Sequence, residues 1–130
     1  MRDTRTMHTP PPHPDAGLQQ ELLACEQALL QLRAAGDTAG EAATLNRIGR
    51  IYYDLGDPQQ QLQAFEQALT LYGAAGDTGG EASALNNLGM ARAALGDSQG
   101  AIACYEQALP LRREVGDTAG EAITLHNIGG

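Results

Sequence analysis

The triplet Asp77-Thr78-Gly79 has the residue order that presents a catalytic carboxylate in aspartic proteases. Those enzymes are β-rich, however, and the triplet returns as Asp37-Thr38-Ala39 and Asp117-Thr118-Ala119, which marks it as punctuation rather than chemistry. The same stretches lack the alternating acids of a calcium loop. Cys25 and Cys104 belong to no CxxC or Cys/His cluster and read as small core hydrophobes, with no metal site and, as a further expectation, a reducing, cytoplasmic compartment. His8 and His13 lie in a Pro-rich start and His126 near the end, none with a nucleophile or carboxylate placed by motif. All eight basic residues are Arg, so a Walker-type phosphate loop and a Schiff-base lysine are both excluded. No cofactor and no enzyme activity are expected. Arg47 and Arg50, three apart, could fork onto a carboxylate, and the Asn46, Asn86 and Asn87 amides offer donors and an acceptor to a peptide backbone. Arg112 and Arg113 read as a solvated end of a helix, where positive charge suits the dipole.

The elements that must hold these residues follow from a repeat. Rows 36–75 and 76–115 align without a gap and share eighteen identities in forty positions, and Gly116-Asp117-Thr118-Ala119-Gly120-Glu121-Ala122 opens a third row. Self-similarity at a fixed period means stacked units. Each row reads as two helices, Thr38–Leu55 with Pro58–Ala75, then 78–95 with 98–115. Thr38/Glu41, Thr78/Glu81 and Thr118/Glu121 have capping-box spacing, and Gly56-Asp57-Pro58 and Gly96-Asp97-Ser98 supply a left-handed glycine followed by a capping acid. Apolar residues fall at helical spacing, Leu45, Ile48 and Tyr52 on one helix, Leu62, Phe65 and Leu69 on the next. Gly49 and Gly89 lie mid-helix at a cost of about 1 kcal/mol relative to alanine, which predicts close approach by the partner helix. Pro110 predicts a bend or a loosening in the last full helix.

Composition agrees with small-residue helix packing: 42% apolar, much of it Ala, with four Tyr, one Phe and no Trp. Sixteen acids against eight Arg leave a net charge of −8, which disfavours nucleic acid as a partner. Residues 1–17 hold no apolar run that would make a signal peptide or membrane anchor, and read as an extended, disordered tail.

The pattern Leu45, Ile48-Gly49 and Tyr52, then Phe65 and Ala68, with Leu85, Leu88-Gly89, Ala101, Tyr105 and Ala108 in the next row, resembles the tetratricopeptide repeat family. Arg92 stands in place of the Tyr and Gln61 in place of the first Ala of the second helix. The forty-residue period looks like a long-repeat subclass found in spindle-orientation adaptors and in bacterial NB-ARC-linked signalling and antibiotic-regulator proteins. The resemblance implies an all-α, right-handed solenoid of antiparallel helix pairs. Its order would be an orphan helix B (18–35), two full repeats (36–75 and 76–115) and a truncated helix A (116–130). It further implies a non-catalytic module of a scaffold or signalling protein. A partner protein or an acidic peptide would lie in a concave groove lined by Asn46, Arg47, Arg50, Tyr53, Asn86, Asn87, Met90, His126 and Asn127. The repeated Asn residues have a second reading, hydrogen bonding between repeats. The Lys-rich carboxylate clamp of chaperone-binding members is absent. The incomplete ends suggest a rival role: copies joined head to tail, burying Leu22, Leu29, Leu125 and Ile128, with the tail as a competing cover.

Overall fold

The computed structural model describes residues 16–129; the Pro-rich run, His8 and His13 lie outside them. Six helices follow one another: α1 (Ala16–Ala35), α2 (Thr38–Leu55), α3 (Pro58–Ala75), α4 (Thr78–Ala94), α5 (Ser98–Glu114) and α6 (Thr118–Gly129). Each packs on its neighbours in sequence, with a lighter α2–α4 contact, so the array is an all-α solenoid of helix pairs. α1 begins two residues before the expected start at Leu18, and α4 and α5 each end one residue early.

The junctions recur every twenty residues. Gly36, Gly56, Gly76, Gly96 and Gly116 all hold φ between 71° and 86°, a conformation that glycine reaches without a Cβ penalty. The Asp that follows each glycine caps the next helix: the Gly40, Gln60, Gly80, Gly100 and Gly120 amides donate to Asp37, Asp57, Asp77, Asp97 and Asp117 at 2.8–3.2 Å. This corrects the capping-box expectation. The cap lies one residue before each Thr, and the carboxylates of Glu41 and Glu121 reach the guanidinium groups of Arg33 and Arg113 at 2.9 and 2.8 Å. Each Asp stands one residue before its Thr, so its carboxylate meets the third helical amide and leaves the Thr inside the first turn.

The core runs along the seams. Leu22, Cys25, Leu29, Leu45, Ile48, Ile51 and Tyr72 form one buried cluster, and Phe65, Leu88, Ala91 and Cys104 another. A Cβ at Gly49 would lie 2.5 Å from Cε1 of Phe65, and one at Gly89 would lie 2.5 Å from Cε1 of Tyr105, so both mid-helix glycines admit an aromatic ring of the partner helix. Both cysteines are free and buried, and burial pushes the Cys104 thiol above its usual range. α5 runs unbroken through Pro110, which is exposed. At the array's ends the expected apolar contact is only half available. Leu22 and Leu29 are already covered by packing with α2 residues, whereas Leu125 is 46% exposed where its counterparts Leu45 and Leu85 are buried.

Candidate functional site

The face shared by α2, α4 and α6 carries an amide ladder. Asn87 Nδ2 donates to Asn46 Oδ1 at 3.1 Å, and forty residues on Asn127 Nδ2 donates to Asn86 Oδ1 at 3.2 Å. Asn86 also accepts from the Thr124 hydroxyl at 3.4 Å and is buried. Of the two expected readings of the repeated Asn residues, these bonds supply the second: a side chain whose oxygen is shared between two donors of α6 ties repeats together. Asn127 serves the same bond. Arg47 stands in the donor position of Asn87 and Asn127, and having no earlier ladder partner it reaches Glu21 Oε1 on α1 at 3.0 Å. His126 stands in the acceptor position; it is exposed and lines neither of the two cavities on this face.

Two cavities open along this face. The larger, about 490 Å³, is lined by Asn46, Arg50, Tyr53, Asp54, Gln61, Phe65, Ser83, Asn87, Met90 and Arg112. The smaller, about 400 Å³, is lined by Glu21, Ala43, Asn46, Arg47, Arg50, Ile51, Asp54 and Tyr72. They are the same place in successive repeats, since moving Glu21, Ala43, Arg47, Arg50 and Tyr72 by forty positions gives Gln61, Ser83, Asn87, Met90 and Arg112. Of the expected site residues, Asn46, Arg50, Tyr53, Asn87 and Met90 thus meet in one cavity, Arg47 lies in the neighbouring one, and Asn86, His126 and Asn127 line neither. Tyr53 is 57% and Met90 37% exposed there.

The tetratricopeptide repeat family matches over residues 42–74 and again over residues 80–130, together well over half the chain. The chain belongs to the tetratricopeptide repeat family. No curated protein matches it significantly. Tetratricopeptide repeats in general mediate contacts between proteins, and the six helices are their packing scheme.

Within this tetratricopeptide array the departures from the repeat are polar. Arg92, in the position of Tyr52, lies within 3.6 Å of Glu66 and 3.5 Å of Asp97, and its Nε is buried without a partner. Arg112 occupies the position of Leu32 and Tyr72, which the reading of a solvated helix end overlooked. Its side chain is only 12% exposed, its Nη1 donates to Asp117 Oδ2 at 2.8 Å, and its Nε too is buried and unbonded. Arg113 alone fits that reading, about half exposed and paired with Glu121. Comparing the rows position by position would have found Arg112, because a cation in a slot that otherwise holds Leu and Tyr breaks the apolar pattern. The Gly120 amide, and after it the Arg112 guanidinium, hold the Asp117 carboxyl below the usual carboxylate range. Among the described residues no group of three His, Cys, Asp or Glu could hold a metal ion, and no helix is long and apolar enough to cross a membrane.

Proposed function

We propose that the array is a non-catalytic module that takes an extended segment of a partner protein into the cavity lined by Asn46, Arg50, Tyr53, Asn87 and Met90. The observation that carries this reading is the exposure of Tyr53 and Met90 inside a recess whose other lining groups are mostly polar. A large apolar side chain left open beside hydrogen-bonding groups is how recognition surfaces are built, with the ring supplying area and the amides register. The forty-residue period supports the long-repeat subclass, and with it a place in a larger scaffold or signalling protein. The −8 net charge argues against nucleic acid, and the free, buried cysteines favour a cytoplasmic setting. The test is selection of peptides from a displayed random library, followed by amide shift mapping. The selected peptides should perturb α2 and α4 around Tyr53 and Met90 and lose binding in the Tyr53→Ala/Met90→Ala variant. Peptides that map instead to Gln63, Gln67 and Thr70 would overturn the assignment.

Head-to-tail assembly is the second reading, and the exposure of Leu125 favours it. Light scattering on the chain and on Leu125→Glu tests it: a mass that grows with concentration only in the former supports assembly, and a monomer in both sinks it.

A further inference from the structure

We infer that the outer face of α1, marked by Leu23 and Leu30, is an interface between two copies of this chain, paired antiparallel through that helix about a two-fold axis. The face is separate from the two cavities and from the exposed side of α6.

Leu23 is 56% and Leu30 68% exposed. Side chains turn by 100° per residue along a helix, so standing one position after the buried Leu22 and Leu29 turns both leucines away from α2. The same positions hold Gln63 and Thr70 in α3, and Ala103 and Pro110 in α5. All four are exposed, although α3 is packed between α2 and α4, and α5 between α4 and α6. A further repeat stacked in front of α1 would therefore leave Leu23 and Leu30 in water as well. Their exposure comes from the side of the helix they occupy and not from where the array starts. Two leucines two turns apart, in positions that the other outer helices keep polar or small, mark a contact surface outside the stacking of the array.

Charge selects the occupant. The chain carries −8, yet the residues that share this side of α1 with the leucines are Gln19, Gln20, Gln27 and Ala34, none of them charged. Glu26 stands at the margin, and Arg33 near it is held by Glu41 at 2.9 Å. A strongly charged partner finds no counter-charge within the stripe. Two copies of an acidic body repel, and a charge-free stripe is where they can meet with the least repulsion. The stripe is also self-complementary. In the antiparallel arrangement Leu23 of each copy faces Leu30 of the other, and Gln27 lies near the axis opposite its own copy, where an amide both donates and accepts. Such a contact uses the same patch on both chains and closes at two, unlike head-to-tail assembly. One pair of twenty-residue helices is a small interface, below about 1,200 Å² in total, so the pairing is weak, with a dissociation constant above about 1 μM.

Sedimentation equilibrium of the full chain tests the pairing, with Leu23→Gln/Leu30→Thr, which installs the residues of α3, as the variant. The parent mass should rise with concentration and level off at two copies. The variant should dissociate at least tenfold more readily while keeping its helical circular dichroism. Added sodium chloride should strengthen the parent's pairing by screening the −8 of each copy. Both native cysteines are buried, so a new surface thiol reads proximity. With oxidised glutathione, Gln27→Cys should give a disulfide-linked pair, and Gln67→Cys, at the counterpart position on α3, should not. A mass of one chain up to about 1 mM would overturn the inference, whether the residues before α1 or a different protein covers the face. Undiminished association of the double variant, or equal linking of Gln27→Cys and Gln67→Cys, would overturn it too. Growth past two copies that Leu125→Glu abolishes would support head-to-tail assembly and count against this pairing. Should the double variant not fold, the two single cysteine variants decide.

Discussion

Tyr72 and Arg112 occupy one position in two successive repeats, yet they make different junctions. At the α3–α4 junction the Tyr72 ring lies against Gly80, so closely that a Cβ there would run into the ring. At the α5–α6 junction the Arg112 guanidinium takes that place beside Gly120, and its nearest partner is the Asp117 cap. The turns themselves match, with φ of 71° at Gly76 and 72° at Gly116 and an Asp cap after each. The backbone of the repeat is thus set by glycine and Asp, and the side chain over the turn is free to be a packing group or a donor. In an array stabilised by neighbour contacts, such a substitution has a local cost.

The largest expected effect is on the packed side of this comparison. Tyr72 is 8% exposed and sits in the cluster with Leu45, Ile48 and Ile51, so Tyr72→Ala should cost about 3–5 kcal/mol, the range for truncating a buried aromatic. Burial, and to a lesser degree Asp77, raises the Tyr72 phenol above its ordinary value, which agrees with a ring enclosed by apolar neighbours. Urea unfolding measures the loss; a change below about 1 kcal/mol would mean that the two junctions are equally polar in effect.

A subtler contrast comes from the glycines under the two side chains. In Gly80→Ala the new methyl meets the Tyr72 ring, which is wedged in the core, whereas in Gly120→Ala it meets the far ends of Asp117 and Arg112, which can swing. Overpacking costs about 1–3 kcal/mol and the helix-propensity gain returns about 1 kcal/mol. Gly80→Ala should therefore lose up to about 2 kcal/mol, and Gly120→Ala should be neutral or slightly stabilising. The same sign of change in both variants, read from thermal melts, would erase the distinction.

Much of the scaffold was legible because it depends on residues with narrow physical roles. Gly-Asp at every turn and the close approach at Gly49 and Gly89 can be read without coordinates, whereas the rings that make it, Phe65 and Tyr105, come from the structure. The site was less legible, since its residues have several uses. An Asn at a repeated position serves a ladder as well as a ligand, and only the bonds from Thr124 and Asn127 to Asn86 decide between them. Thr38 and Glu41 matched a capping box, but the Asp37 carboxylate sits nearer the amides, and Glu41 is drawn to Arg33 on the preceding helix. Arg112 satisfied a rule about helix ends, and that rule hid what its own row position implied.

The smallest effect concerns pH and separates the two contributions to the Asp117 cap. Its carboxyl is held low first by the Gly120 amide and then by Arg112. A folded pKa below the unfolded value of about 3.9 means that the stabilisation is fully present above about pH 4 and is lost as pH falls through the folded value. Because the carboxylate is open to solvent, the contribution to stability is slight, and the site's own titration is the better observable. In the parent chain, the carboxyl carbon of Asp117 should titrate at a lower pH than an ordinary aspartate. In Arg112→Leu the midpoint should move up part of the way and stop below the ordinary value, since the amide bond remains. An unmoved midpoint would mean that Arg112 does not act on Asp117 in solution, so that the α5–α6 junction differs from its counterpart only by the ring it lacks.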